Sequence, residues 1–172
     1  TSSSSPVRIG SATSWQSVAA ADAHTFAVRT DGTLWAWGVE TVLGVNSASP
    51  VQVGSATSWR SVASGWYHAV AVRTDGTLWA WGYNGDGRVG DGTTTNRASP
   101  VQIGSLTTWQ SVAAGKEHTV AVQSDGTLWA WGVNGSGKLG DGSTTNRTSP
   151  VQIGSATTWQ SVAAGESHTV AV

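Results

Sequence analysis

The sequence predicts an all-β chain of β-propeller blades, each of four antiparallel strands, and three observations carry that expectation. The first is self-similarity: Ser-Pro recurs at Pro6, Pro50, Pro100 and Pro150, spaced 44, 50 and 50 residues. A Trp (Trp15, Trp59, Trp109, Trp159) follows each Pro by nine residues, and a His (His24, His68, His118, His168) follows each Trp by nine more. A fixed period of this length marks a repeat architecture. The second is Asp-Gly at Asp31, Asp75 and Asp125, between two alternating runs, where it reads as a tight type I′ hairpin. The third is Leu-Trp-Ala-Trp after each Asp-Gly-Thr. Its two Trp share one strand face and Leu and Ala the other, so both faces are apolar, as in a sheet packed between two neighbouring sheets.

Within one period four extended runs stand out, as in Val101-Gln102-Ile103, then 109–114, 118–123 and 127–131, each bounded by Gly, Ser or Asp-Gly. Small Ala residues in Ser-Val-Ala-Ala-Gly suit strands that converge near an axis. Four-stranded sheets at this period are the unit of a radial propeller, each blade burying Trp and Val against the next. Residues 1–172 thus read as one repeat array, with units starting near Pro6, Pro50, Pro100 and Pro150 and the last unit incomplete.

Composition narrows the function classes. Charged residues make up 11% of the chain, net charge is −1, and the few Lys and Arg are scattered. A duplex-binding protein needs a concentrated basic surface, so nucleic acid is not an expected partner. No apolar run approaches the ~20 residues of a membrane-spanning helix. The absence of Cys removes disulfides, thiolate metal sites and cysteine nucleophiles. The low charge and Ser/Thr-rich surface lean towards an extracellular or cell-surface setting.

Residues 62–72, 112–122 and 162–172 each read Val-Ala-(Ala/Ser)-Gly-x-x-His-(Ala/Thr)-Val-Ala-Val. Residues 131–142 read Trp-Gly-Val-Asn-Gly-Ser-Gly-Lys-Leu-Gly-Asp-Gly, and 81–92 match them with Val89 for Leu139. These two patterns resemble the two signatures of the regulator of chromosome condensation repeat family. The first unit departs from them: Ala21 stands in place of the Gly, and its 39–48 stretch is six residues shorter than its counterparts. The resemblance implies a seven-bladed propeller, which at this period needs roughly 350 residues to close. It also implies relatives that are nucleotide-exchange factors for small GTPases or chromatin binders. Neither activity is carried over, because fold does not fix function and the basic surface for chromatin is missing.

The chain holds four copies of the Pro-to-His half-unit and three of the Asp-Gly-Thr-Leu-Trp-Ala-Trp half, about three and a half repeats. The expectation is a longer array, or a homo-oligomer or filament in which chains complete each other's blades.

Side chains that could carry chemistry have plainer explanations. The recurring His24, His68, His118 and His168 read as buried residues satisfying backbone groups rather than as a metal ring. Asn84-x-Asp86-x-Arg88 and Asn134-x-Ser136-x-Lys138 have calcium-loop spacing, but each places a cation at the fifth position and lacks the closing Glu. The glycines of 85–92 lead into no helix, so they are not a phosphate cradle. No nucleophile elbow is present, and Asp31, Asp75 and Asp125 are committed to turns. Asn134-Gly135-Ser136 and Asn146-Arg147-Thr148 have the form of glycosylation sequons. Neither an enzyme, a metal site nor a cofactor is expected.

The informative positions are where the repeats disagree. Between Gly (Ala in the first unit) and His the units carry Asp22-Ala23, Trp66-Tyr67, Lys116-Glu117 and Glu166-Ser167. Tyr83, Asp86, Arg88, Ser136 and Lys138 vary on the other long loops. Exposed aromatics beside charged loops are common anchors for proteins or sugars. The expectation is therefore a non-catalytic scaffold that binds a protein or glycan partner through its loop face. A self-associating component of a sheath, fibre or surface layer is the structural alternative.

Overall fold

The computed structural model describes residues 4–40 and 42–172. Its first sheet runs β1 (Trp15–Ala20), β2 (His24–Arg29), β3 (Leu34–Glu40) and β4 (Val45–Gln52), in that spatial order. The second holds β5 (Trp59–Ser64), β6 (His68–Arg73), β7 (Leu78–Gly82) and β8 (Arg97–Gln102); the third holds β9 (Trp109–Ala114), β10 (His118–Gln123), β11 (Leu128–Gly132) and β12 (Arg147–Gln152). A hairpin, β13 (Val162–Ala164) and β14 (Thr169–Ala171), follows. All neighbouring strands are antiparallel, giving three complete blades and part of a fourth in an open, partial propeller.

A blade starts at its Trp and ends after Ser-Pro-Val-Gln, so the extended run at 101–103 does not open the sheet that follows it. Val101 pairs with Ala80 and Gln102 with Trp79, in the sheet before. Proline explains this grouping: it has no N–H to give a ladder, and Pro50, Pro100 and Pro150 lie in β4, β8 and β12, each the edge strand of its sheet.

The Asp-Gly hairpins also differ from the type I′ expectation. Type I′ requires positive φ at both central residues, yet only Gly32 (φ 77°), Gly76 (φ 78°) and Gly126 (φ 78°) are left-handed, and among the described residues no non-glycine is. Gly32 N donates to Arg29 O and Arg29 N to Thr33 O, the pattern of a three-residue loop with a type I turn and a G1 bulge. The glycine is required twice over. A Cβ on Gly32 would overlap the Thr57 carbonyl of the incoming chain, and Gly32 O accepts Trp59 N of the next blade at 3.0 Å. Gly76 and Gly126 do the same for Trp109 and Trp159.

The core lies between blades, as expected from strands apolar on both faces. Phe26, Val28 and Leu34 of the first blade pack on Trp59, Val62 and Trp81 of the second, with Phe26 and Trp81 edge to face at 5.3 Å. Val70, Val72 and Leu78 meet Trp109 and Trp131 of the third in the same way. Trp81 and Trp131 are fully buried. A side chain of that size removes roughly 200 Å² from water, a contribution on the order of 5 kcal/mol.

Candidate functional site

Each Gly-x-x-His turn links the first and second strands of its blade. Gly65 N donates to His68 O at 2.9 Å, and Gly115 N to His118 O likewise. A Cβ on Gly65 would collide with the His68 ring and with the Gly115 carbonyl of the next blade. The signature glycine is thus a packing requirement between blades, whereas the identity of the two residues at the turn tip differs from unit to unit.

His24, His68 and His118 are buried, while His168 is exposed. The buried rings bond hydroxyl groups of the next blade: Nε2 of His68 lies 2.9 Å from Thr119 Oγ1, and Nε2 of His118 lies 3.0 Å from Thr169 Oγ1. Thr119 gives its one hydroxyl proton to Arg88 O, so it accepts from His68, whose proton is therefore on Nε2. His24 meets Ser64 Oγ at 2.7 Å, because the position equivalent to Thr119 is Ala69. Burial, helped by the charge of Arg88, pushes His68 down to about 3; burial and Lys138 push His118 to about 4.

The turn carboxylates serve the fold as expected. Asp31 Oδ1 accepts both Thr33 N and Thr33 Oγ1, and that hydroxyl accepts Trp35 Nε1 at 2.7 Å. Asp75 and Asp125 repeat the relay. These bonds hold all three carboxyls below the ordinary range.

The long loops of the second and third blades are each tied by the side-chain amide of an Asn, Asn84 or Asn134, whose spacing suggested a metal loop and whose role is structural. Asn134, fully buried, accepts Leu139 N on Oδ1 and donates through Nδ2 to Asp141 Oδ1 and Ser143 O. Its own N–H donates to Asn146 Oδ1, and Arg147 clamps Asp141. Burial pushes the Asp141 carboxyl up, but bonds from Arg147, Ser143 and Asn134 outweigh it and hold it at about 2. Asn84, Asp91, Asn96 and Arg97 form the same knot. The recurrent Asp-Gly-x-Thr-Thr-Asn-Arg was its signal in the sequence. With its amide enclosed, Asn134 is closed to glycosylation in the folded chain.

The variable positions gather on one face. At the first position of each pair, Asp22, Trp66, Lys116 and Glu166 surround an opening into which the Ala-rich ends of β1, β9 and β13 also converge. Lys116 Nζ lies 2.6 Å from Glu166 Oε1 and 3.8 Å from the Trp66 ring centroid, so charge and ring form a chain from blade to blade. The bond to Glu166 raises the Lys116 ammonium and lowers the Glu166 carboxyl.

At the second position the side chains turn towards the long loops. Tyr83 N donates to Tyr67 O at 2.7 Å, extending the β6–β7 ladder by one bond and leaving the two tyrosines as neighbours. In the first and third blades the same pairing joins Ala23 to Val39 and Glu117 to Val133, so the second blade alone puts two aromatics there. Together with Val42, Asp86, Arg88 and Glu117 the tyrosines line a groove of about 430 Å³. Arg88 Nη2 lies 2.8 Å from Asp86 Oδ2 and 3.8 Å from Glu117 Oε1, with its guanidinium 4.8 Å from the Tyr83 ring centroid. Lys138 Nζ is 3.7 Å from Glu117 Oε2. The two variable sets thus form two parts of one surface; Val42, in the trimmed loop of the first blade, had no signal in the sequence.

Similarity to known proteins agrees with this architecture. By sequence, no curated protein matches the chain. Among solved structures, human WBSCR16 superposes with a TM-score of 0.83 at 24% identity, over 92% of this chain and 44% of that one. Prp20p of Saccharomyces cerevisiae, whose structure was described with its binding properties to Gsp1p and histones, gives 0.81 at 23% identity, over 91% and 43%. The chain therefore spans less than half the length of either, and at these identities the likeness is one of fold. Two models of the regulator of chromosome condensation (RCC1) repeat match, one over residues 75–122 and 125–172 and the other over 59–88 and 109–138. With the first model covering more than half of its residues, the chain belongs to the regulator of chromosome condensation (RCC1) repeat family.

Proposed function

We propose that this chain is a non-catalytic propeller scaffold that binds a protein partner through the face carrying the Gly-x-x-His turns and the long loops. One observation carries the reading: the signature Gly, His and Asp-Gly positions are consumed by turns, relays and blade contacts, whereas the differing pairs between Gly and His meet the differing long-loop residues Tyr83, Asp86 and Arg88 on that face. Tyr67 and Tyr83 there are 40% and 38% exposed, and aromatic anchors dominate protein interfaces. Prp20p supplies a precedent for a propeller of this fold with protein partners. Exchange activity towards a small GTPase is not part of the proposal.

The test is affinity capture with the immobilised chain, comparing wild type with a Tyr67→Ala/Tyr83→Ala variant and with a Thr74→Ala control in an Asp-Gly turn. A partner retained by wild type and control but lost by the tyrosine variant is expected. Equal retention by all three contradicts the reading. Self-association through the outer blade faces, where Val18 is 67% and Val170 54% exposed, is the second reading. Sedimentation velocity separates the two, since a monomer at every concentration excludes it.

A further inference from the structure

The groove between Tyr67 and Tyr83 has a polarity that its formal charge conceals. Four charged groups meet there, two of each sign, yet they are unequally accessible. The Arg88 and Lys138 side chains are 3% and 6% exposed, whereas those of Asp86 and Glu117 are 42% and 35% exposed. The cations lie beneath, and the surface a partner meets is carboxylate oxygen framed by two phenol rings. Asp22 and Glu166, at the neighbouring opening, are exposed as well, and Lys116 there is already paired with Glu166.

We infer that this groove receives a lysine or arginine side chain from a basic segment of the protein partner, held by the Tyr67 and Tyr83 rings and by the Asp86 and Glu117 carboxylates. The inference rests on the loop-face reading above and names the chemistry of the partner. Aromatic faces attract a cation through their ring quadrupole, most strongly when it is partly desolvated. A carboxylate at the rim adds directional hydrogen bonds and steers a basic partner during approach. The buried cations supply a further element. Because Arg88 bonds Asp86 and, with Lys138, flanks Glu117 before a partner arrives, less side-chain ordering is left to occur on binding. A neutral sugar also stacks on tyrosine, but it does not depend on the charge of Glu117.

The experiment uses the intact chain and a short fluorescent peptide of lysine, arginine and glycine, with a glutamate-for-cation peptide and a soluble oligosaccharide set as comparators. Fluorescence anisotropy is expected to show binding of the basic peptide only, weakening as salt rises. Glu117→Gln and Tyr67→Ala are each expected to weaken it roughly tenfold. Thr74→Ala, exposed in an Asp-Gly turn outside the groove, is expected to change it less than about twofold. Asp86→Asn is the riskier variant, because it removes the nearest partner of a buried Arg88, so Glu117→Gln decides. Equal affinity of wild type and Glu117→Gln for the basic peptide overturns the inference, as does failure of that peptide to bind. Oligosaccharide binding that is lost in Tyr67→Ala and unchanged in Glu117→Gln overturns it in favour of a glycan. If captured proteins are still lost with Tyr67→Ala/Tyr83→Ala while the basic peptide does not bind, the loop-face reading stands and only the cation site falls.

Discussion

Urea unfolding at pH 5 is expected to show a protein weaker by about 3 kcal/mol than at pH 7. The cause is the buried imidazoles of His68 and His118. In the unfolded chain a histidine titrates near 6.5, but in the fold His68 titrates at about 3 and His118 at about 4, pushed down by burial and by Arg88 and Lys138 respectively. Between those limits the unfolded state binds more protons than the folded one. The stability that the neutral rings contribute is complete above pH 6.5 and is lost progressively as pH falls towards 4 and 3. Each ring gives a slope of up to about 1.4 kcal/mol per pH unit. The turn carboxylates, held below their ordinary range, make their difference only at more acid pH and leave this window to the histidines. Replacing His118 by Gln, which keeps a donor for Thr169 but does not titrate, is expected to remove about half of the pH dependence. An unfolding midpoint that is flat from pH 7 to pH 5 contradicts this assignment.

Asn134→Ala is expected to destabilise the protein by about 3 kcal/mol at pH 7, measured by the same unfolding. The substitution leaves Leu139 N without its acceptor and takes a donor from Ser143 O and from Asp141 Oδ1, the latter keeping Ser143 N and Oγ. Each such loss costs about 1–3 kcal/mol. Arg147 still holds Asp141, which keeps the total below the upper limit. Asn134→Asp is expected to be at least as harmful, since it faces a second carboxylate towards Asp141. A loss below about 1 kcal/mol for Asn134→Ala would mean that the loop does not depend on this amide.

Much of the fold was legible because the repeats expose their own logic. Two apolar faces on Leu-Trp-Ala-Trp announced a sheet buried on both sides, and Trp81 and Trp131 occupy that place. Asp-Gly announced a hairpin. Its type was not legible, because Thr30 joins Asp31 and Gly32 in the loop, and loop length depends on the register of the strands on either side. The start of the blade was hidden for a similar reason. Pro marks an edge strand, and an edge strand belongs to the sheet it pairs with, which the sequence does not show.

The candidate surface was half legible. Disagreement between units picked out Trp66, Tyr67, Lys116 and Glu117. That Tyr67 meets Tyr83, and that Arg88 lies beneath Asp86 and Glu117, comes from the β6–β7 register and from depth, and depth cannot be read from residue type. The structural use of Asn84 and Asn134 was masked by their resemblance to metal-loop spacing.

Under the proposed function, the signature positions hold the fold and the variable loop-face positions are free to bind a partner. Urea unfolding of the Tyr67→Ala/Glu117→Gln variant beside Asn134→Ala tests that division most directly. The expected loss for the loop-face pair is under about 1 kcal/mol, since both side chains are partly exposed and the ion pairs of Glu117 are long. A loss matching that of Asn134→Ala would show that the variable positions are part of the scaffold, and the division would fail.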